Sequence, residues 1–137
     1  MKVIVIGLGS MGKRRIRLIQ QYDETIEICG IDTSKERRQQ AGQEYTIETL
    51  ESLEQVPENG YDCAFVSTSP LSHSSLISLC LRKNMHVFTE INLVGDGYDR
   101  NMKLAAEKGK VLFLSSTFLY REEIRYIDSA VRKSMCP

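Results

Sequence analysis

The sequence predicts an α/β fold: a doubly wound, all-parallel sheet of about six strands in the order 3-2-1-4-5-6, with helices on both faces. Three observations carry that expectation. Short apolar runs alternate with helix-forming segments along the whole chain. Those runs are apolar at successive positions, as strands covered on both faces are. The first of them, Lys2-Val3-Ile4-Val5-Ile6, passes straight into Gly7-Leu8-Gly9-Ser10-Met11-Gly12 and then into a helical segment, Lys13 to Gln21.

The opening stretch organises the rest. A second strand, Ile26-Glu27-Ile28-Cys29-Gly30-Ile31, ends on Asp32, twenty positions after Gly12. Strand, G-x-G-x-x-G, helix, strand and acid in that order form the dinucleotide-binding fingerprint. Gly7 permits the turn out of the strand, Gly9 lets backbone approach a pyrophosphate, and Gly12 lets the helix lie close on the sheet. The N–H groups and positive dipole end of the helix then face the phosphates. Asp32 is placed to accept from both ribose hydroxyls of an adenosine, and its charge opposes a 2′-phosphate. The expected cofactor is therefore NAD, with NADP second, because Lys35, Arg37 and Arg38 soften that rejection. Gly7-x-x-x-x-Gly12-Lys13 also matches the start of a P-loop, but Arg14 stands where that motif needs Ser or Thr for magnesium.

The bulk properties bound the function. A chain of 137 residues is read as a single domain, residues 1–137, large enough for a real core. At 42% apolar and 26% charged, the composition indicates neither disorder nor a membrane protein. Eighteen basic and eighteen acidic residues cancel, so no global case exists for nucleic acid or a membrane surface. Lys13, Arg14, Arg15 and Arg17 cluster on the first helix; they read as a solvated face, the alternative being a contribution to phosphate attraction. Cys29, Cys63, Cys80 and Cys136 share no C-x-x-C spacing and read as free thiols, not as a metal site or disulfide frame. With a strand at the N-terminus and no spanning-length apolar run, a cytoplasmic location is expected.

The remaining elements follow in order. Gly12, Ile16 and Ile19 form the stripe that lays the first helix on the sheet. Thr33-Ser34-Lys35-Glu36 reads as a capping box, so a polar surface helix runs from there to about Gly42. Tyr45-Thr46-Ile47 is expected as a third, edge strand; Leu50, Leu53 and Val56 as a short helical stripe ending at Pro57; Glu58-Asn59-Gly60 as a turn. Cys63-Ala64-Phe65-Val66 is the fourth strand, followed by the polar loop Ser67-Thr68-Ser69-Pro70. His73, Leu76, Ile77, Cys80 and Leu81 then mark an amphipathic helix. Val87-Phe88 centres a fifth strand that runs on to Glu90, and a helix from about Asp96 to Lys108 is closed by Gly109. Val111 to Leu114 is the sixth strand, and Tyr120, Ile124, Ile127 and Val131 mark a last helix.

On these stretches the chain resembles the N-terminal domain of the Gfo/Idh/MocA family of NAD(P)-dependent oxidoreductases. The resemblance rests on Gly7-Leu8-Gly9-Ser10-Met11-Gly12 with Asp32, on Thr68 and His73 at T-x-x-x-x-H spacing, and on Arg82 to Glu90, where a buried strand delivers a glutamate to the cofactor. It implies a Rossmann fold whose cofactor contacts are Gly7, Gly9, Ser10, Met11, Gly12, Asp32, Thr33, Arg37, Ser67, Thr68, His73, Glu90 and Asn92. His73 has a second reading, a satisfied core histidine on the apolar face of its helix. His86 reads as structural.

The chain also departs from the family pattern. Ile91 and Asn92 follow Glu90 where the family has lysine and proline, and Leu119 and Glu122 stand where an Arg and a Pro usually open the final helix. The family's second domain, which holds substrate, is absent from the sequence. The resemblance therefore implies an NAD(P)-binding domain for sugar-like or cyclitol substrates, inactive alone and without a catalytic residue of its own. The alternatives are a non-catalytic nucleotide-binding scaffold or sensor, or one half of a split enzyme. Phe118, Leu119 and the stripe of the last helix, with Leu93-Val94, predict an apolar face that a second copy or a separately encoded substrate domain would cover.

Overall fold

The computed structural model describes residues 1–91, 95, 97–116 and 120–134. Six strands form a single parallel sheet: β1 (Lys2–Ile6), β2 (Glu27–Ile31), β3 (Glu48–Leu50), β4 (Cys63–Val66), β5 (His86–Glu90) and β6 (Leu112–Ser115), in the order β3-β2-β1-β4-β5-β6. Five α-helices accompany them: α1 (Ser10–Tyr22), α2 (Lys35–Tyr45), α3 (Pro70–Arg82), α4 (Tyr98–Glu107) and α5 (Glu122–Ser134). This is the Rossmann arrangement expected from the sequence. The strand order reverses between β1 and β4, so the C-terminal ends of these two strands open the crevice where such folds take ligands.

Strand β1 is the hydrophobic centre, and its alternation divides the core in two. Val3 and Val5 pack with Leu8, Ile16 and Ala41 under α1 and α2. Ile4 and Ile6 pack with Ile77, Cys80, Leu81 and Ala105 under α3 and α4. Each fully buried aliphatic side chain is worth about 1.5–3 kcal/mol, so a strand buried on both faces fixes the sheet around itself.

The covering is uneven. Over β4, β5 and β6 the face on the α1 side carries Phe65, Phe88 and Phe113 in neighbouring strands, their ring centroids 5.1 and 5.4 Å apart. Phe113 is exposed there. Along α5, Tyr126, Ile127 and Val131 are exposed and Ile124 is half-buried; Tyr120, just before the helix, is exposed too. Leu93, Val94, Phe118 and Leu119, expected on the same apolar face, lie outside the described residues.

Several local expectations are corrected. Helix α1 begins at Ser10, three residues early, because Gly9 already has extended N-cap geometry and the Lys13 N–H bonds to its carbonyl. Helix α2 is capped by Ser34, whose hydroxyl accepts from the Arg37 N–H, and not by a Thr33–Glu36 box. It also runs to Tyr45, past Gly42. Thr46 takes a left-handed conformation (φ 53°) as its C-cap, so the edge strand falls on Glu48–Leu50 instead of Tyr45–Ile47. Leu50 thus belongs to a strand, and only Leu53–Gln55 is helical, a single 3₁₀ turn closed by a Ser52–Gln55 capping box. Polar spacing misled here because one αL residue shifted the register of everything to the next turn.

Among the described residues Cys29, Cys63 and Cys80 are free thiols. Burial pushes Cys63 up to about 11 and Cys80 to about 12, which leaves little thiolate at neutral pH. No described helix is long and apolar enough to cross a membrane.

Two of the glycines predict opposite outcomes. A Cβ on Gly12 would lie 1.8 Å from the Gly7 carbonyl oxygen, a backbone atom that cannot swing aside. Gly12→Ala should therefore cost about 3 kcal/mol or more in urea unfolding. At Gly9 an added Cβ meets nothing within 4 Å, so Gly9→Ala should cost less than about 1 kcal/mol. Equal losses would show that α1 is not held by this close approach.

Candidate nucleotide-binding site

An open cleft of about 620 Å³ lies across the C-terminal ends of β1, β2 and β4. Gly7, Gly9, Asp32, Thr33, Arg37, Ser67 and Thr68 line it, seven of the residues singled out from the sequence. The walls also include Glu51, Ser52, Ser69, Ser72 and Leu76, which the sequence did not mark. They come from the loop after β3 and the start of α3, and proximity to the cleft is set only by the sheet order.

The glycine loop is locked at both ends. Gly7 has φ 91°, in the region that favours glycine, and a Cβ there would lie 2.7 Å from the Ser67 carbonyl oxygen. The Gly7 N–H bonds to the Ile31 carbonyl at 2.7 Å, tying the loop to β2. Ser10, Met11 and Gly12 form the first turn of α1, and no side chain caps that turn. Helix α3 opens on the same cleft from Ser69, with Pro70 in its first turn and again no side-chain cap. The N-termini of α1 and α3, with positive dipole character and no side-chain cap among the described residues, thus both stand at this cleft, which Gly9, Ser69 and Ser72 line. That combination suits a pyrophosphate.

Asp32 is 92% buried. Its Oδ2 accepts from the Leu8 N–H at 2.8 Å and its Oδ1 from the Ser34 N–H at 2.8 Å. The carboxylate therefore joins the glycine loop to the start of α2, and each oxygen keeps a further lone pair. Arg37 Nη1 stands 3.6 Å from Oδ2 on an exposed side chain at the rim. Arg38, expected to act beside it, is turned inward: it donates to the carbonyls of Asp32 (2.7 Å) and Thr33 (3.0 Å) and pairs with Glu51.

His73 lies beneath the cleft and is 4% exposed. Its Nε2 is 3.0 Å from the Thr68 carbonyl, which can only accept, so that nitrogen carries the proton. In the neutral ring Nδ1 then accepts from the Thr89 hydroxyl at 3.2 Å. The histidine bridges the Ser67–Ser69 loop and β5, the geometry of a satisfied core histidine. Ser72 Oγ stiffens the same loop, donating to the Ser69 carbonyl at 2.8 Å.

Glu90 ends β5 at the far side of the crevice from Asp32, and Ile91 follows it, exposed. Asn92 lies outside the described residues. Glu90 Oε1 meets Arg15 Nη2 at 2.6 Å. The same guanidinium lies 4.7 Å over the Phe88 ring, and the Arg15 side chain is only 16% exposed. Arg15 is thus not part of a solvated basic face, unlike Arg14 and Arg17, which are exposed. The signal was present in the sequence: Gly12, Arg15, Ile16 and Ile19 share one helical stripe. Among the described residues no group of three His, Cys, Asp or Glu side chains could hold a metal ion.

The sequence model of the oxidoreductase family with an NAD-binding Rossmann fold, GFO_IDH_MocA, matches residues 1–116. The chain belongs to this family. No match among curated proteins was found. Solved structures share the fold at low identity. The WlbA dehydrogenase from Bordetella pertussis, in complex with NADH and UDP-GlcNAcA, has a TM-score of 0.85 at 20% identity over 97% of this chain and 42% of its own. The 3-ketoreductase KijD10 from Actinomadura kijaniata, in complex with NADP and TDP-benzene, gives 0.80 at 22% identity over 97% and 42%. UDP-N-acetylglucosamine 3-dehydrogenase GnnA from Acidithiobacillus ferrooxidans gives 0.78 at 20% identity over 95% and 41%. The chain therefore spans less than half the length of these neighbours. Membership of the Gfo/Idh/MocA family makes NAD the cofactor class of the domain.

The His73 bridge yields a measurable expectation. Thr89→Val keeps the shape of the side chain but removes the hydroxyl that meets Nδ1 in the core. It should lower stability by about 1–3 kcal/mol in urea unfolding. An unchanged midpoint would mean that the contact does not brace the cleft.

Proposed function

We propose that this chain is the cofactor-holding domain of an NAD-dependent oxidoreductase for sugar-like or cyclitol substrates, and that it does not turn over substrate alone. The observation that carries the reading is Asp32, buried at the cleft between the glycine loop and α2, across from open space over Gly9. In this reading the backbone N–H groups of Ser10, Met11 and Gly12 hold the pyrophosphate, and Gly7 and Gly9 leave it room. Asp32 takes the adenosine ribose through its remaining lone pairs, Thr33 and Arg37 flank it, and Ser67 and Thr68 form the opposite wall. His73 acts on the cofactor through the loop it braces. Glu90 and Asn92 belong to the nicotinamide side. Bound NAD supplies the hydride acceptor; the chain's own part is to bind, orient and exclude water.

The substrate class is supported by the neighbours, two of which carry nucleotide-sugar names or ligands. Inactivity in isolation is supported by Ile91, a side chain with no exchangeable proton, exposed where the family pattern places lysine. The exposed apolar residues of α5 and Phe113 support a partner, either a second copy or a separately encoded substrate domain. The free thiols of Cys29 and Cys80, both buried, and of the half-buried Cys63 suit a reducing compartment such as the cytoplasm.

Calorimetric titration tests the cofactor choice. NAD should bind more tightly than NADP, and Asp32→Ala should weaken NAD about tenfold or more while narrowing the gap, since a charged hydrogen-bond acceptor is lost. Tighter NADP binding to the unmodified protein would overturn the assignment. Pure protein should also show no substrate-dependent rise in reduced-nicotinamide absorbance with sugars, inositols or nucleotide-sugars. Ile91→Lys alone should not restore it, because transfer also needs a substrate held and oriented against the nicotinamide. Sustained turnover by the unmodified chain would contradict this reading.

A further inference from the structure

Arg15 leaves the nucleotide helix toward β5. It crosses the open half of the sheet, stacks on Phe88 at 4.7 Å and ends on Glu90 at 2.6 Å. Phe88 is itself held between Phe65 and Phe113, so the guanidinium rests on a fixed aromatic floor. Its Nε is buried without a hydrogen-bond partner among the described residues, where the Phe88 ring and the Glu90 carboxylate are the groups the guanidinium meets. The pair spans 75 positions of sequence and joins the helix behind the glycine loop to the C-terminal end of β5.

That location has an electrostatic consequence. If the adenosine half of the cofactor takes the Asp32 side of the crevice, the other half is left with the β4 and β5 side, where Glu90 stands. A nicotinamide ring is cationic when oxidised and neutral when reduced. An unpaired carboxylate beside it would favour the oxidised form by direct attraction, whereas a carboxylate already paired with a guanidinium presents little net charge. We propose that Arg15 is a positioning and specificity-determining residue that sets the balance between oxidised and reduced cofactor by neutralising Glu90. The inference rests on the nucleotide reading given above. Phosphate attraction is not its task, because its charge is spent on Glu90.

The test is titration of NAD⁺ and NADH into the full chain and into four variants: R15Q, R15K, E90Q and R15Q/E90Q. In R15Q the ratio of the NADH dissociation constant to the NAD⁺ dissociation constant should rise about threefold or more, as expected for one unpaired, partly screened charge on the side of the cationic ring. R15K keeps the charge and should stay near the parent ratio. The double variant removes both charges and should return to it. E90Q, which leaves the arginine unbalanced, should lower the ratio, and it carries the test with opposite sign if R15Q melts early. A ratio unmoved in R15Q and E90Q, or a shift that persists in the double variant, overturns the inference while leaving nucleotide binding intact. Failure of the folded parent to bind either nucleotide overturns the cofactor reading, and this inference with it.

Discussion

The approach of α1 to the end of β1 is the constraint on which the rest of the structure depends. Gly12 sits so close to the Gly7 carbonyl that no side chain fits between them. The helix is thereby pinned with its first turn against the cleft, and three consequences follow from its position. Its N-terminus, which no described side chain caps, stands at the cleft that Gly9 lines. Leu8 is pressed onto β2, where Gly30 provides the room, and its N–H reaches Asp32. Arg15, one turn further along, is brought within reach of β5. A helix lifted by the thickness of one methyl group would weaken all three.

The cleft is built from backbone more than from side chains. Helix N-termini, a glycine loop and peptide N–H groups give it a character suited to anions, while side chains fix where those groups stand. Asp32 ties loop to helix, His73 ties loop to strand, and Arg38 ties the carbonyls after β2 to Glu51. Such an arrangement suits a ligand recognised mainly by its phosphates and one ribose. The aromatic face over β4, β5 and β6 is the complement of this division: it is apolar, half-covered, and carries at its upper rim the Arg15–Glu90 pair.

The sequence by itself determined the central part of the protein. The strand, glycine turn, helix, strand and Asp32 are adjacent in the chain, so their periodicity and spacing report their geometry directly, and the sheet order follows from the doubly wound arrangement that this fingerprint marks. Tertiary structure decided the rest. A left-handed Thr46 displaced the edge strand by three residues, a backbone choice that composition does not announce. His73 became a brace because Thr68 and Thr89 meet it from two different elements. Arg15 left the solvated face to which its neighbours assign it because a ring and a carboxylate far away in sequence lie under it. Local pattern specifies which face of an element is buried; the partner of a long polar side chain is fixed only when the elements are assembled.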